Sequence, residues 1–464
     1  MLEPEGILAR LSTSLDALGT GTVDLPQRQR TLRATVAWSL GMLEESERSF
    51  LETLAVFAGG WTLEAAAVVA RLDENRSLDL NEELARHSLV HIDNTTHGPR
   101  ARMLETVREF VRERLAGRSD ALDVRRRHAE FYRAFAERSD RRLRTVGHDE
   151  LYERLYAESG NLAAAVEWYL EHDRKPLPHL FRVLFPIWEM RGQARDAHGW
   201  VQQMMSGFDG LDLDPQARAE LLWARIATAN ELGDDAAVLS GRDRLAELLD
   251  GIRDPELHAL ALVVMSWTSP IVGDFDRALR EASASVDELR ALDDPYWLCV
   301  ALASTGFALV NLGRHEEALA LFRESLEMAD RFDNGWLSAI ASLWLGTLAL
   351  WSDRPAEARP LLEKALDLAL STNGTTVIAL CLVGFARFFS RTGDAEKATR
   401  LSGAAEGLRR RLGLKVWPPL RRGESELATE LRRAMGTERF ETICGEGARM
   451  SYREAVEAIR RNRS

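Results

Sequence analysis

Several features that would mark a secreted, membrane-bound or metal-binding protein are missing from this 464-residue sequence. The cysteines, Cys299, Cys381 and Cys444, are odd in number and far apart. They therefore indicate small buried side chains in a reducing compartment, not a disulfide framework or a zinc site. No apolar run reaches the roughly 18–20 residues of a membrane span, and the start, MLEPEGILARLSTSL, has no signal-peptide pattern. We expect a cytoplasmic protein without membrane contact.

Sequence motifs of the common enzyme classes are missing as well. The chain has no GxxxxGK[ST] loop to bind phosphates, and no HExxH, CxxC or GxSxG. His87 and His91 straddle a predicted helix end and a strand, so they need not share a face and are a poor metal site. The acid pair Asp234-Asp235 falls at a predicted helix N-terminus, where it favours the helix dipole. We therefore expect no catalytic, cofactor-binding or metal-binding residue, no bound cofactor, and no enzyme activity.

Positive charge is also in short supply. The net charge is −12 and the pI is about 5.5, which argues against a general binder of nucleic acid or acidic membranes. Lysine is nearly absent, so arginine supplies almost all of the cationic side chains. Two arginine-rich runs, at 125–127 and 141–144, are flanked by acids. We interpret them as solvated helix faces, with a phosphate or partner contact as the alternative.

What the sequence does contain is a repeat in its second half. Four segments open with Gly or Asp and have an alanine five residues later; the alanines are Ala278, Ala318, Ala358 and Ala398, each 40 residues from the next. A fifth, weaker copy begins at Gly233. Such a fixed period is the mark of a solenoid. Small residues also recur with this period, at Ser266, Gly306, Gly346 and Ala386, and at Ser285, Ser325, Ala365 and Ala405. They predict two closely packed helices per unit, similar to a tetratricopeptide repeat lengthened by about six residues.

The chain before the repeats is predicted to be helical except for one hairpin. Thr62 is a good N-cap for the helix LEAAAVVARL. The short runs SLVHID and RARML are separated by the turn-rich segment NTTHGP, which predicts a β-hairpin. Several helices followed by a hairpin are the outline of a winged helix.

The order of the segments is more specific than any one of them. LPQRQRTLRATVAWSLGMLEESERSFLETLAVFAGGWTLEAAAVV precedes the predicted hairpin, and MLETVREFVRERL follows it. This order resembles the winged-helix arm of bacterial STAND-class regulators, the ATPases related to large LuxR-type proteins. The resemblance continues in RRRHAEFYRAFAE, ESGNLAAAVEWYLEHD and FPIWEMRGQARDAHGWVQQMM. It resumes in LSGAAEGLRRRLG and FETICGEGARMSYREAVEAI, and so covers nearly the whole chain.

The resemblance implies a mainly α fold, with a winged helix carrying a small β-hairpin followed by an α-solenoid of tetratricopeptide-like helix pairs. In the family a nucleotide-binding module precedes the winged helix. This sequence has no phosphate-binding loop, so that module would lie before Met1, and a truncated member, a split gene or a piece cut at the domain boundary is the expectation. The predicted domains are an N-terminal helix and linker (1–27), the winged helix (28–118), a helical connector (119–214), the repeats (215–412) and a C-terminal helical cap (413–464).

The first helices of such solenoids line the concave face. One row at the 40-residue spacing is Trp267, Phe307, Thr347 and Arg387, and a neighbouring row is Val263, Ala303, Leu343 and Val383. The first row predicts a groove with aromatic side chains at one end and a guanidinium at the other, suited to a peptide or an amphipathic anionic ligand. The alternative is that Trp267 and Phe307 pack between repeats and that Arg387 is solvated.

Two hypotheses for function follow. The first is a non-enzymatic sensor scaffold that binds a protein, a peptide or a small inducer on the concave face, with an NTPase module acting in trans as one partner. The second is a DNA-binding regulator in which Arg28, Arg30, Arg33, Arg100 and Arg102 of the winged helix contact phosphates. The winged-helix segment is close to charge-balanced, so we expect DNA binding by this chain alone to be weak.

Overall fold

Helices make up most of the chain, and the only sheet in the described residues is small. The computed structural model describes residues 32–95, 98–143 and 148–461. It divides into two compact units, one of residues up to Ala136 with Arg154–His172, and one of Glu137–Glu153 with Asp173 onward. The predicted helix and linker at 1–27, with Arg28 and Arg30, lie outside the described residues. None of the described helices is long and apolar enough to cross a membrane.

The first unit contains the predicted winged helix. Its elements, in chain order, are α1 (Leu32–Gly41), α2 (Glu45–Leu54), β1 (Trp61–Thr62), α3 (Leu63–Ala70), α4 (Glu74–Arg86), β2 (Val90–Thr95), β3 (Gly98–Met103) and α5 (Glu105–Ala116). The long helix α6 (Ala121–Leu143) and α7 (His148–Ala157) are divided between the units, and α8 (Ser159–His172) belongs to the first.

The hairpin is present where the sequence predicts it. Strands β2 and β3 pair antiparallel from Val90 opposite Met103 to Thr95 opposite Gly98. The short β1 adds a third strand on the other side of β3, with Trp61 opposite Ala101. The predicted N-cap is confirmed, because Thr62 Oγ1 accepts a hydrogen bond from the backbone N–H of Ala65 at 3.2 Å.

A polar network around Asn161 holds the first unit together. Asn161 is fully buried on α8. Its Oδ1 accepts from the backbone N–H of Ala58 at 2.7 Å, and its Nδ2 donates to the carbonyl of Gly60 at 2.9 Å and to Glu158 at 2.7 Å. His128 Nε2 lies 3.2 Å from the same Oδ1, and burial lowers the pKa of this imidazole to about 4. The neutral imidazole therefore donates its Nε2–H to Asn161 Oδ1. Together these hydrogen bonds fix α8 to the turn between α2 and β1.

The second unit contains the repeats. After α9 (Leu177–Arg191) and α10 (Ala194–Met205), five helix pairs follow: α11 (Pro215–Leu232) with α12 (Asp235–Leu248), α13 (Pro255–Ser266) with α14 (Phe275–Leu292), α15 (Pro295–Asn311) with α16 (His315–Arg331), α17 (Gly335–Trp351) with α18 (Pro355–Ser371), and α19 (Thr375–Arg391) with α20 (Ala395–Leu412). The first helices begin 40 residues apart, so the predicted period and the fifth copy are both confirmed.

Turn chemistry repeats with the same period. Asp214, Asp254, Asp294 and Asn334 each cap the first helix of a pair by accepting a backbone N–H. The turn inside each pair has one residue with positive φ: Gly233, Gly273, Gly313, Asp353 and Gly393. Glycine suits this left-handed conformation because it has no Cβ to clash. Local sequence therefore sets both ends of each helix.

The small residues allow the two helices of a pair to approach closely, as predicted. The alanines Ala278, Ala318, Ala358 and Ala398 are 2% exposed or less. A Cβ on Gly306 would lie 2.5 Å from the Phe322 ring, and one on Gly346 would lie 3.0 Å from Leu362. Larger residues at these positions would push α15 from α16 and α17 from α18.

Residues after the repeats return to the array. A short non-helical segment, residues 413–417, is termed here the strap. It is followed by α21 (Pro418–Met435), α22 (Thr437–Arg449) and α23 (Tyr452–Arg460). Helix α22 packs directly on α20, and α23 contacts α19 and α20. The predicted domain boundaries remain predictions, but residues 413–461 do more than cover one end of the solenoid.

Candidate functional site

The inner face of the array, formed by the first helix of each pair, encloses a cavity of about 130 Å³. Trp267 and Phe307 of the predicted row line this cavity, and Ala303 of the neighbouring row lines it too. A second cavity of about 380 Å³ adjoins it, and Thr347 and Arg387 line that one. Trp344 is common to both cavities. The structure therefore places all four predicted residues on the inner face, but divides them between two spaces.

Aromatic rings form much of the first cavity's wall. Four tryptophans contribute, namely Trp267, Trp336, Trp344 and Trp417. Phe307 stands edge-on to Trp344 at 4.1 Å between ring centroids and to Trp417 at 4.9 Å. Trp267 donates its indole N–H to Ser304 Oγ at 2.9 Å. Trp267 and Phe307 are 8% and 4% exposed, so they pack between repeats while lining the cavity, and their role in ligand binding stays a prediction.

Glu189 and Glu231 are two of the three acidic residues that line the same cavity, and Glu424 is the third. Glu189 lies near the end of α9, and Glu231 lies near the end of α11. Burial raises the pKa of Glu189 well above its ordinary value, and the neighbouring Glu231 adds to that effect. Burial also raises the pKa of Glu231 to about 7. Two carboxyl groups in one apolar enclosure oppose each other's ionisation, so near pH 7 the pair retains protons.

Arg387, the guanidinium of the predicted row, lies beside an aromatic ring and near several carboxylates. It is half-buried in the second cavity, with its guanidinium 5.6 Å from the centroid of the Trp351 ring. Burial lowers its pKa, whereas Glu430, Glu424 and Glu426 act in the opposite direction. Thr347 is 7% exposed and donates its hydroxyl to the carbonyl of Leu343 at 2.8 Å. An anion in this second cavity would lie near carboxylates as well as Arg387, and their negative charge would oppose its binding.

The strap closes the first cavity. The backbone N–H of Lys415 donates to the carbonyl of Glu231 at 3.1 Å, and Trp417 covers Phe307. Just beyond the strap, Arg421 makes a bidentate ion pair with Asp235 at 2.6 and 2.7 Å. The contacts of Lys415 and Arg421 tie the C-terminal region to the first helix pair of the array, and that of Trp417 ties it to the third. Charge-assisted bidentate pairs of this kind are among the stronger polar contacts in proteins.

Sequence reasoning missed the residues that complete this site: Glu189, Glu231, Trp417, Arg421 and the partner carboxylate Asp235. Arg421 and Asp235 are 186 residues apart in the chain, and neither belongs to a pattern that links them. Trp417 did carry a signal. It is a large aromatic residue directly before two prolines, in the short stretch LKVWPP, where a helix is disfavoured. A tryptophan in such a non-helical segment is expected to pack against another part of the protein.

The winged helix offers a second candidate surface. By its place before the hairpin, α4 corresponds to the recognition helix of a helix-turn-helix fold. Its exposed charged residues are Glu74, Arg76, Asp79, Glu82 and Arg86, so acids outnumber bases. The predicted phosphate contacts Arg100 and Arg102 are both paired, Arg100 with Glu158 and Arg102 with Asp93. The side chain of Arg33 lies outside those the structure describes.

Comparisons with known proteins agree with this architecture. Residues 43–116 match the model of the winged helix-turn-helix domain family. Proteins of Mycobacterium tuberculosis and Mycobacterium bovis, named as candidate HTH-type transcriptional regulators, are 29% identical over 426 residues, which is 89% of this chain and 47% of theirs. An uncharacterised Mycobacterium tuberculosis protein is 34% identical over 132 residues, 27% of this chain and 34% of its own. The chain spans about half the length of the curated regulators it matches.

Two solved structures align with most of this chain at low sequence identity. A STAND protein with a tetratricopeptide repeat sensor from Pyrococcus horikoshii is 18% identical and covers 95% of this chain and 67% of its own, with a TM-score of 0.43. A Rap protein complexed with competence and sporulation factor is 11% identical and covers 92% of this chain and 98% of its own, with a TM-score of 0.46. The family match at residues 43–116 and the helix pairs at 40-residue spacing place a winged helix-turn-helix domain before a tetratricopeptide-like array, in the order that the resemblance implied.

Proposed function

We propose that this chain is the sensor region of a transcriptional regulator of the cytoplasm, a non-enzymatic scaffold that binds a peptide, a protein segment or a small inducer on the inner face of its repeats. The similarity to transcriptional regulators along 89% of the chain supports the regulatory role. The observation that carries the binding role is the aromatic cavity between the repeats and the strap. Cavities with many apolar walls and few polar groups are typical ligand sites.

The strap suggests how binding could be sensed. Lys415 and the Arg421–Asp235 pair join the C-terminal region to the first helix pair, and Trp417 covers Phe307 of the third pair, across the space where a ligand would lie. A ligand that displaced Trp417 from Phe307 would loosen this closure, and one that packed under Trp417 would tighten it. In either case the ligand would bind the open and the closed arrangement of the strap with different affinities, which a conformational switch requires. A nucleotide-binding module, in the same protein or in trans, is the proposed receiver of this change.

A cavity-filling substitution tests the proposal. We expect Ala303→Leu to weaken ligand binding at least tenfold, because the larger side chain occupies part of a cavity that Ala303 lines. Thermal-shift screening of short peptides and small metabolites against both proteins would measure the loss. Ala291→Leu is the matched control, since Ala291 is exposed on α14. If every ligand stabilised the Ala303→Leu and unsubstituted proteins equally, the inner face would not be the binding site.

DNA binding by the winged helix is the second candidate function, because residues 43–116 match a winged helix-turn-helix family. The acidic surface of α4 and the pairing of Arg100 and Arg102 weigh against it. Affinity for duplex DNA comes largely from neutralised phosphates, and this surface offers few free cations among its described residues.

An electrophoretic shift assay separates the two candidates. We expect this chain to give no complex with random duplex DNA at about 150 mM salt, and at most a complex at low salt that added salt removes. Arg102→Glu should then change little, because Arg102 already pairs with Asp93 at 2.9 Å. A sequence-selective complex that persists at physiological salt, and that Arg102→Glu abolishes, would favour the DNA-binding alternative.

A further inference from the structure

We propose that the first cavity is a binding site for a small ammonium ion with an apolar or aromatic body, such as an arylalkyl amine. This inference rests on the proposed function, because it names the chemistry of the ligand on the inner face. It also changes the sequence-based expectation, which favoured a peptide or an anionic amphipathic ligand. Four observations support it: two carboxyl groups without partners, a buried amide oxygen without a partner, an aromatic wall, and nearby cationic side chains that do not neutralise the two carboxyl groups.

The carboxyl groups of Glu189 and Glu231 face the cavity without a counter-ion. In the part of the chain that the structure describes, neither forms a salt bridge or a side-chain hydrogen bond. An ionised carboxylate in an apolar enclosure is costly unless a cation or several donors accompany it. Burial has accordingly raised the pKa of both groups. A bound ammonium ion would supply both the charge and the N–H donors that the two groups lack.

Asn230 provides an independent indication of a ligand. It lies beside Glu231 on α11, lines the same cavity and is only 3% exposed. Its Oδ1 has no hydrogen-bond partner among the described residues. A buried amide oxygen without a partner costs about 1–3 kcal/mol in general, so native proteins seldom leave one without a reason. An ammonium group has three N–H donors, which matches Asn230 and the two carboxyl groups in number.

The aromatic wall suits the same ligand. Trp267, Trp336, Trp344 and Trp417 line the cavity that holds the carboxyl groups. Tryptophan faces attract cations through the ring quadrupole, and the attraction strengthens where water is excluded. The rings also provide apolar surface for the body of an amphipathic amine. With about 130 Å³, the space is close to the roughly 150 Å³ of a cavity known to hold benzene. One ring or a short alkyl chain therefore fits, but a folded segment does not.

The cations near the cavity do not neutralise the two acids. Arg409 lines the cavity, but Glu424 holds it in a bidentate pair at 2.7 and 3.2 Å. Lys415 contributes its backbone to the contact with Glu231, while its side chain is exposed. A cation would favour ionisation of Glu189 and Glu231, whereas a carboxylate ligand would add a third acid beside them, so this end of the cavity favours a cation.

Three matched probes test the assignment: 2-phenylethylamine, 2-phenylethanol and 3-phenylpropionate, titrated into the full chain at pH 8 by calorimetry. We expect the amine to bind at least tenfold more tightly than the alcohol and the carboxylate. The double substitution Glu189→Gln/Glu231→Gln should abolish that preference. The double variant should fold, because glutamine has nearly the shape of glutamate and the substitutions remove two buried acidic groups. Glu327→Gln, at an exposed position on α16, should leave the affinity unchanged.

Affinity for the amine should also rise between pH 6 and pH 8. Burial raises the pKa of Glu231 to about 7, and the ammonium ion binds the ionised carboxylate. Below that pH, binding must therefore displace a proton from Glu231, which lowers the affinity. The other ionisable groups that line the cavity are Cys299, Arg409, Lys415 and Glu424. Burial raises the pKa of the Cys299 thiol to about 12, so it stays neutral throughout this range.

The outcomes separate this inference from the proposed function. Equal binding of all three probes, or an unchanged preference in the double variant, would overturn the ammonium assignment and leave an apolar ligand on the inner face. Absence of amine binding up to about 10 mM would overturn it as well. The proposed function would survive either result if other ligands still bound the Ala303→Leu variant more weakly than the Ala291→Leu variant. It would fail if no ligand showed that difference.

Discussion

Replacing Gly407 by alanine should cost about 2–3 kcal/mol of the free energy of unfolding and separate α22 from α20. The added Cβ would lie 2.1 Å from the carbonyl oxygen of Ala448 and 2.8 Å from its Cα. These are backbone atoms of α22, so no side-chain rotation relieves the clash. The same contact recurs at Gly403 and Gly447, whose added Cβ atoms would lie 2.1 and 2.0 Å from backbone oxygens. Chemical denaturation followed by circular dichroism measures the loss.

A glycine on the partner helix provides the control. Gly445 lies on α22, but a Cβ there would meet nothing within 4 Å. Because alanine is a better helix former than glycine, Gly445→Ala should stabilise the protein by about 0.5–1 kcal/mol. Gly407→Ala and Gly445→Ala should thus have effects of opposite sign. Stabilisation by both would show that α20 and α22 do not pack through their glycines.

Asn161→Leu should destabilise the first unit by about 3 kcal/mol or more. Leucine keeps the approximate size of the side chain but removes both the amide oxygen and the amide nitrogen. The backbone N–H of Ala58 and the carbonyl of Gly60 would then lose the partners at 2.7 and 2.9 Å. Buried polar groups without partners cost about 1–3 kcal/mol each, and His128 would lose its acceptor too.

Hydrogen exchange can localise this effect. We expect protection to fall in α2, β1 and α8, while the helices of the repeats keep theirs, because Asn161 and its partners all lie in the first unit. Asn75→Leu is the matched control, since Asn75 is exposed on α4 and should change stability by less than about 0.5 kcal/mol. Comparable losses from both substitutions would mean that hydrophobic replacement, not the network, causes the destabilisation.

Much of the repeat architecture could be predicted from the sequence because it depends on neighbours in the chain. The period of 40 residues, the buried alanines and the capping aspartates act within one helix or between consecutive helices. The hairpin and the Thr62 cap are likewise local, and both were predicted. The third strand was missed because β1 has only two residues and pairs with β3 about 40 residues later.

The candidate site was only partly predictable. The spacing of Trp267, Phe307, Thr347 and Arg387 placed them on one face, and the structure has them on the inner face of the first helices. Their role in binding remains a proposal. Their separation into two cavities, and the setting of Arg387 against Trp351, depend on the strap and α21, which the repeat pattern does not contain.

The sequence by itself determined the helix pairs, their period, their caps and the faces that the pairs bury, since those follow from contacts over a few residues. Only the tertiary structure decided that Trp417 covers Phe307, that Arg421 reaches Asp235, and that Glu189 and Glu231 share one enclosure. These residues come from helices far apart in the chain. Small rotations between successive helix pairs accumulate along a solenoid and set which distant side chains meet, and no local pattern encodes their sum.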